Sequence, residues 1–160
     1  TRKESSAASD VYKRQGYLPG LKRWVDEIPG VNLALSLHSP FKEKRDELIP
    51  INKNYPLHDV LSYIDKIPLR KKQFIIFEYL MIADFNDNAE DAHETAKLIT
   101  GKEAHINLIP FNPFPGTKYK RPRTEKILAF QQILETYKVP TLIRSTKGDD
   151  VLAACGQLKT

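Results

Sequence analysis

The chain has 160 residues, 41% hydrophobic and 28% charged, with a formal net charge of +5 and a single cysteine. No apolar run approaches the roughly 18 residues that a bilayer-spanning helix needs. One thiol excludes an internal disulfide framework and a cysteine-only metal site within the chain. This composition suits a reducing, cytoplasmic compartment, and the basic excess leans mildly towards anionic partners such as nucleic acid.

Residues 1–15, "TRKESSAASDVYKRQ", are polar, lack periodicity and join abruptly to "GYLPGLKRWVDEIPG". No apolar stretch succeeds the charges, so they do not form a signal peptide. Ser5 to Gln15 back-translate into a DNA adapter used in sequencing libraries, so residues 1–15 are expected to be foreign and residues 16–160 to be the native domain. Without Arg2, Lys3, Lys13 and Arg14 the basic excess shrinks.

From Gly16 onward, strand-like and helix-like segments alternate. "VNLALSLH" (31–38), "QFIIFEYLMI" (73–82), "HINLIPF" (105–111) and "PTLIRST" (140–146) read as buried strands. Leu57, Val60, Leu61 and Ile64 share one helix face, with Pro56 suited to a first turn. Ala92, Ala96 and Ile99 share a second face, behind Asn88 as a candidate cap. Ile127, Phe130, Leu134 and Tyr137 share a third, with Thr124 as candidate cap. Strand, crossover helix and strand in repetition predict a parallel α/β sheet, either a small doubly wound domain or an arc of a β/α barrel. In both, ligands bind beyond the carboxyl ends of the strands. The polar residues there are Ser36, His38, Asp84, Asn86, Asn112, Arg144 and Ser145.

Four stretches stand out. In "SLHSP", Ser36 and His38 alternate with Leu37 and share a face; two satisfied turn residues are the competing reading. "INLIPFNPFPG" (106–116) sets three prolines and Gly116 around Asn112, whose amide can both donate and accept. "GTKYKRPR" (116–123) interleaves Tyr119 with Lys118, Lys120, Arg121 and Arg123, a pattern suited to phosphate contacts and base stacking, or merely to a solvated loop. "STKGDDVLAACGQL" (145–158) surrounds Cys155 with small residues; no histidine lies nearby in sequence to activate it, so on its own it reads as a buried structural thiol. His58, His93 and His105 show no convergent metal-ligand spacing.

Taken together and in this order, "LALSLHSP", "RDELIPINK", "HINLIPFNPFPG" and "KGDDVLAACGQL" resemble the C-terminal half of the RlmN/Cfr family of radical S-adenosylmethionine RNA methyltransferases, with "NPFPG" closer to the RlmN branch. The resemblance covers residues 16 to 160 and implies the C-terminal portion of a partial, TIM-like β/α barrel. It implies methylation of carbon 2 of an adenine in 23S ribosomal RNA, and in tRNA, through a methylated cysteine. Ser36, Leu37, His38 and Asn112 then correspond to S-adenosylmethionine contacts, and Cys155 to the cysteine that carries the methyl group. The family's 4Fe–4S cluster ligands would lie upstream, so no metal ligand is expected here and the chain alone is expected to be inactive. A reductase would supply electrons; no membrane and no obligate protein partner are expected. A non-catalytic RNA-binding α/β module and a plain α/β domain with a buried cysteine are the competing readings.

Overall fold

The computed structural model describes residues 14–28 and 30–144. Helix α1 (Leu18–Glu27) precedes strand β1 (Leu33–Ser36). A short helix α2 (Lys42–Leu48), a 3-10 turn (Pro50–Lys53) and helix α3 (Leu57–Ile64) lead to β2 (Ile75–Met81). Helix α4 (Ala89–Ile99), β3 (Ala104–Pro110), α5 (Thr124–Thr136) and β4 (Thr141–Ile143) complete the described order.

All four strands are parallel and lie side by side in sequence order, β1-β2-β3-β4. A doubly wound domain reverses its strand order and covers both sheet faces. Here the order never reverses, and the helices supply one core. Leu21, Val60, Leu61, Ile64, Ala92, Ala96, Ile99, Ile127, Phe130 and Leu134 pack with Leu35, Leu37, Phe77, Tyr79, Ile106 and Leu108 in a single cluster. Of the two architectures open from sequence, this is the barrel arc, with helices outside and the opposite sheet face turned inward.

Strand alternation assigns the two faces. Leu33, Leu35, Leu37, Ile75, Phe77, Tyr79, Ile106 and Leu108 are buried against the helices. The intervening Ala34, Ser36, Ile76, Glu78, Asn107 and Ile109 are only half-buried, and Leu142 and Arg144 are exposed. At the carboxyl end a second cluster closes part of the inward face: Leu48, Ile49, Leu80, Ile82 and Phe111, with Phe85, Phe114 and Tyr119 packed on it.

Helix α4 begins as the sequence indicates: Asn88 accepts from the Asp91 amide while Asp91 reaches back to the Asn88 amide, satisfying two end donors. Helix α5 differs from expectation. Thr124 is its first helical residue; Arg123 occupies the cap position in extended geometry, without a side-chain cap bond. Pro56 likewise sits at the cap position of α3, just outside the first turn. Helices α1 and α2 have weak sequence signals. Helix α2, "KEKRDEL", offers one apolar residue in seven, and its buried residues are Arg45 and Leu48.

Candidate active site at the carboxyl ends of the strands

The polar residues predicted to matter, where the structure describes them, converge on one edge of the sheet, and β1 ends there in an unusual way. The β1–β2 register pairs Ser36 with Glu78, and Leu37 N–H still donates to the Glu78 carbonyl at 2.8 Å. A continued parallel ladder would next bring the Leu80 amide to the Leu37 carbonyl. Instead, the Leu80 amide donates to His38 Nδ1 at 3.0 Å, and the Leu37 carbonyl accepts from the Ser39 amide at 2.7 Å and from Arg45 Nε at 3.1 Å. His38 adopts φ 58°, the left-handed region that costs a side-chain-bearing residue energy. The imidazole thus stands in for a main-chain acceptor as the chain turns out of the sheet.

Asn86, fully buried, locks this turn to β2. Its Nδ2 donates to the carbonyls of His38 and Leu80, each at 2.7 Å, while its Oδ1 accepts from the Ile82 amide at 2.7 Å. The Tyr79 hydroxyl donates to the Asn86 carbonyl at 2.8 Å. Asn86, noted in the sequence as a strand-end polar group, has its side-chain amide committed to the scaffold.

Burial, and then the Arg45 charge, push the His38 imidazole down to about 3, against a backbone hydrogen bond at Glu78 that acts in the opposite sense. His38 is therefore neutral at physiological pH. Because Nδ1 accepts from Leu80, the ring proton belongs on Nε2, which is left as a donor.

Leu37 points its side chain into the main core and has no exposed surface, so any ligand contact there runs through its main chain. Ser36 faces inward with Glu78 and Asn107, its register partners on β2 and β3. Arg144, just beyond β4, lies 3.7 Å from the Glu78 carboxylate across this face. Asn112 comes just after the end of β3, where the Phe111 amide donates to the Met81 carbonyl at 2.8 Å, and is half-buried. Ser36, Leu37, His38 and Asn112 thus share the carboxyl edge, on β1 and β3 with β2 between them. Cys155 and Ser145 lie outside the described residues.

The basic loop is anchored by its aromatic. The Tyr119 ring packs at 5.9 Å from both Phe85 and Phe111, and its hydroxyl donates to Glu47 at 2.8 Å. Burial first, and the Glu47 bond second, raise that hydroxyl to about 12. Lys118 also pairs with Glu47, at 3.0 Å. Tyr119, whose setting in the sequence suits either base stacking or a solvated loop, packs on the second core, while Lys120, Arg121 and Arg123 lie on the loop that it anchors, Lys120 and Arg121 exposed and Arg123 exposed at the start of α5. Two of the other histidines serve locally: His93 bonds the Tyr137 hydroxyl at 2.9 Å, and His105 stacks on Phe74.

Arg45 and Asn52, within "RDELIPINK", were assigned no role from sequence, yet they support the end of β1 directly. A charged residue in a polar run reads as solvated, and no periodicity in the sequence marks Arg45 as buried.

A parallel sheet wound singly, with polar strand ends on the inward face, defines an arc of a β/α barrel, and solved structures share that arc. A radical SAM methyltransferase from Sphaerobacter thermophilus superimposes with TM-score 0.77 at 37% identity, covering 90% of this chain and 42% of that one. A domain of a pyruvate-formate lyase-activating enzyme from Bacteroides vulgatus shares the fold, with TM-score 0.62 at 15% identity, covering 84% and 78% of the two chains. By sequence the chain is a relative of the RlmN proteins. It is 44% identical over 144 residues to the dual-specificity RNA methyltransferase RlmN of Nautilia profundicola, and 47% identical over 146 residues to that of Sinorhizobium fredii. These matches cover 90% and 91% of this chain but only 41% and 35% of the relatives. The chain therefore spans about two-fifths of the length of the curated relatives it matches. It matches no protein-family model.

Proposed function

We propose that the full-length protein containing this chain is a radical S-adenosylmethionine RNA methyltransferase that methylates carbon 2 of an adenine in 23S ribosomal RNA, and in tRNA. The observation that carries this reading is the sequence match to proteins named dual-specificity RNA methyltransferase RlmN, extending over nine-tenths of the chain. The strand-end geometry is compatible with it. Ser36 supplies a hydroxyl, His38 a neutral Nε2–H donor and Asn112 an amide on the edge where a barrel receives its ligand.

These residues fit S-adenosylmethionine, whose adenine and ribose offer acceptors and hydroxyls and whose sulfonium supplies the methyl group. They do not fit an iron–sulfur cluster: such a cluster is held by several cysteine thiolates, and the chain has one cysteine. In this reading the cluster ligands belong to the region of the relatives that this chain does not span. Carbon 2 of adenine is an electron-poor ring position and a poor nucleophile towards a sulfonium methyl. The Cys155 sulfur is a competent one, which is why we assign Cys155 as the methyl carrier. The role of Ser36, His38, Asn112 and the Leu37 main chain is then to hold the cofactor beside that thiol. The exposed Lys120, Arg121 and Arg123 are suited to RNA phosphates. An electron-donating reductase completes the set of partners.

The test is product identity. Expression of the full-length protein in a host lacking its own enzyme should install 2-methyladenosine in rRNA and tRNA, detected by nucleoside mass spectrometry. A protein that binds RNA without forming this nucleoside would instead be a binding module.

A further inference from the structure

The stretch "RDELIPINK" holds Arg45, the largest fully buried side chain among the described residues. Its guanidinium is forked across four acceptors. Nε donates to the Leu37 carbonyl and Nη2 to the Ser36 carbonyl, each at 3.1 Å. Nη2 also reaches the Gln15 carbonyl at 3.1 Å, and Nη1 bonds Asn52 Oδ1. The Gln15 contact uses a main-chain oxygen, which any residue at that position supplies.

This is a costly arrangement. A buried charge is strongly destabilising unless it is closely paired. Among the described residues no carboxylate bonds Arg45 directly: Asp46, the nearest acid in sequence, accepts instead from Asn52 Nδ2 at 2.5 Å. Burial lowers the guanidinium from its usual range to about 10. A Leu or Met would fill much of the same volume without that penalty, so filling the core does not account for the residue. What an arginine supplies, and no apolar residue can, is a rigid planar fork of donors.

The fork falls where the β1 ladder breaks. Arg45 Nε and the Ser39 amide, the latter at 2.7 Å, together occupy the Leu37 carbonyl that the Leu80 amide would otherwise use, and Leu80 turns to His38 Nδ1. Asn52, held by Arg45 and Asp46, also accepts from the Leu57 amide at 3.0 Å, which ties the fork to the first turn of α3. We propose that Arg45 is the positioning residue for the ligand-contacting segment Ser36–Leu37–His38, holding that strand end out of the regular ladder so that His38 takes the left-handed turn and bonds Leu80. The functional half of this proposal rests on the reading of that segment as a cofactor contact; the conformational half does not.

The experiment uses the full-length protein and the variants Arg45→Lys and Arg45→Met, with Leu134→Ala, in the helix-side core, as a destabilised control. Two quantities are read at a temperature below every melting midpoint: exchange protection of the Leu80 amide and the Kd for S-adenosylmethionine. Ser39 still holds the Leu37 carbonyl when the fork is lost, so Leu80 loses His38 as the turn loosens without regaining a ladder partner; its protection should fall by on the order of tenfold beyond any global change, and the Kd rise by a similar factor. Leu134→Ala should lower the melting midpoint with neither local effect. The proposal is overturned if the Arg45 variants merely melt earlier, with Leu80 protection tracking global stability and the Kd unchanged. If the unsubstituted protein binds no S-adenosylmethionine, the proposed function falls, and Leu80 exchange alone decides whether Arg45 sets this turn. Arg45→Lys keeps the charge and most of the stem, so a folded variant is expected even if Arg45→Met does not accumulate.

Discussion

The Leu80 amide donates to the imidazole of His38 at 3.0 Å, taking a side chain where a parallel ladder would take a carbonyl. This one bond links strand geometry to site chemistry. It fixes the ring, sets its tautomer and requires the Nδ1 lone pair to stay unprotonated.

Stability should therefore depend on pH. The folded-state pKa of His38 is about 3, against 6.5 for the free group. At intermediate pH the unfolded chain binds a proton that the folded chain refuses, so stability falls as pH falls through the window from 6.5 towards about 3. Above that window the contribution is complete and flat. His38→Asn, which tolerates the left-handed turn, should show a shallower fall in melting midpoint over the same range. An unchanged slope would mean that other groups account for the acid sensitivity.

Asn86 tests the clip between β1 and β2. Asn86→Ala strands the Ile82 amide and two carbonyls and should cost about 2–4 kcal/mol in denaturant unfolding. Asn86→Asp retains the acceptor for Ile82 but turns a carboxylate towards the carbonyls of His38 and Leu80. Its loss of stability should therefore be larger at neutral pH than below about pH 4, where the carboxylate can take a proton.

The basic loop separates anchoring from electrostatics. Tyr119→Phe removes only the bond to Glu47 and should cost about 0.5–1.5 kcal/mol of stability. Tyr119→Ala, which also takes the ring from between Phe85 and Phe111, should cost about 3–5 kcal/mol. Replacing Lys120, Arg121 and Arg123 by alanine should leave the melting midpoint nearly unchanged. It should also flatten the salt dependence of RNA binding by about 0.7–0.9 for each phosphate that is no longer neutralised. An unchanged salt slope would move the RNA surface elsewhere.

How much of this was legible in the sequence depends on whether a residue acts through pattern or through isolated position. Ile75 to Met81 and Ala104 to Pro110 announce themselves as strands because each keeps one unbroken apolar face at alternate positions within a short run rich in isoleucine and leucine. The Asn88 cap is legible because its chemistry is local to one turn. Periodicity alone leaves the barrel arc and the doubly wound sheet open, since strand order is a tertiary property; the ordered motifs, through the resemblance they carry, point to the barrel. Arg45 is hidden because "KEKRDEL" carries the pattern of a solvated helix, and only the carbonyls of Ser36 and Leu37 explain why one of its charges is buried. Tyr119 misleads for the converse reason: among basic residues it reads as a stacking platform, but Phe85, Phe111 and Phe114 offer it a core. Ser36, His38 and Asn112 are candidates from ordered motifs, and the fold brings them to a common edge.

Cys155 is proposed to carry the methyl group to RNA, and isotope-labelled methyl transfer tests that role most directly. The full-length protein, given S-adenosylmethionine labelled in its methyl group, a reductant and unmodified rRNA, should yield labelled 2-methyladenosine. Cys155→Ala should yield none while still binding S-adenosylmethionine. Labelled product from Cys155→Ala at the unsubstituted rate would exclude Cys155 as the carrier.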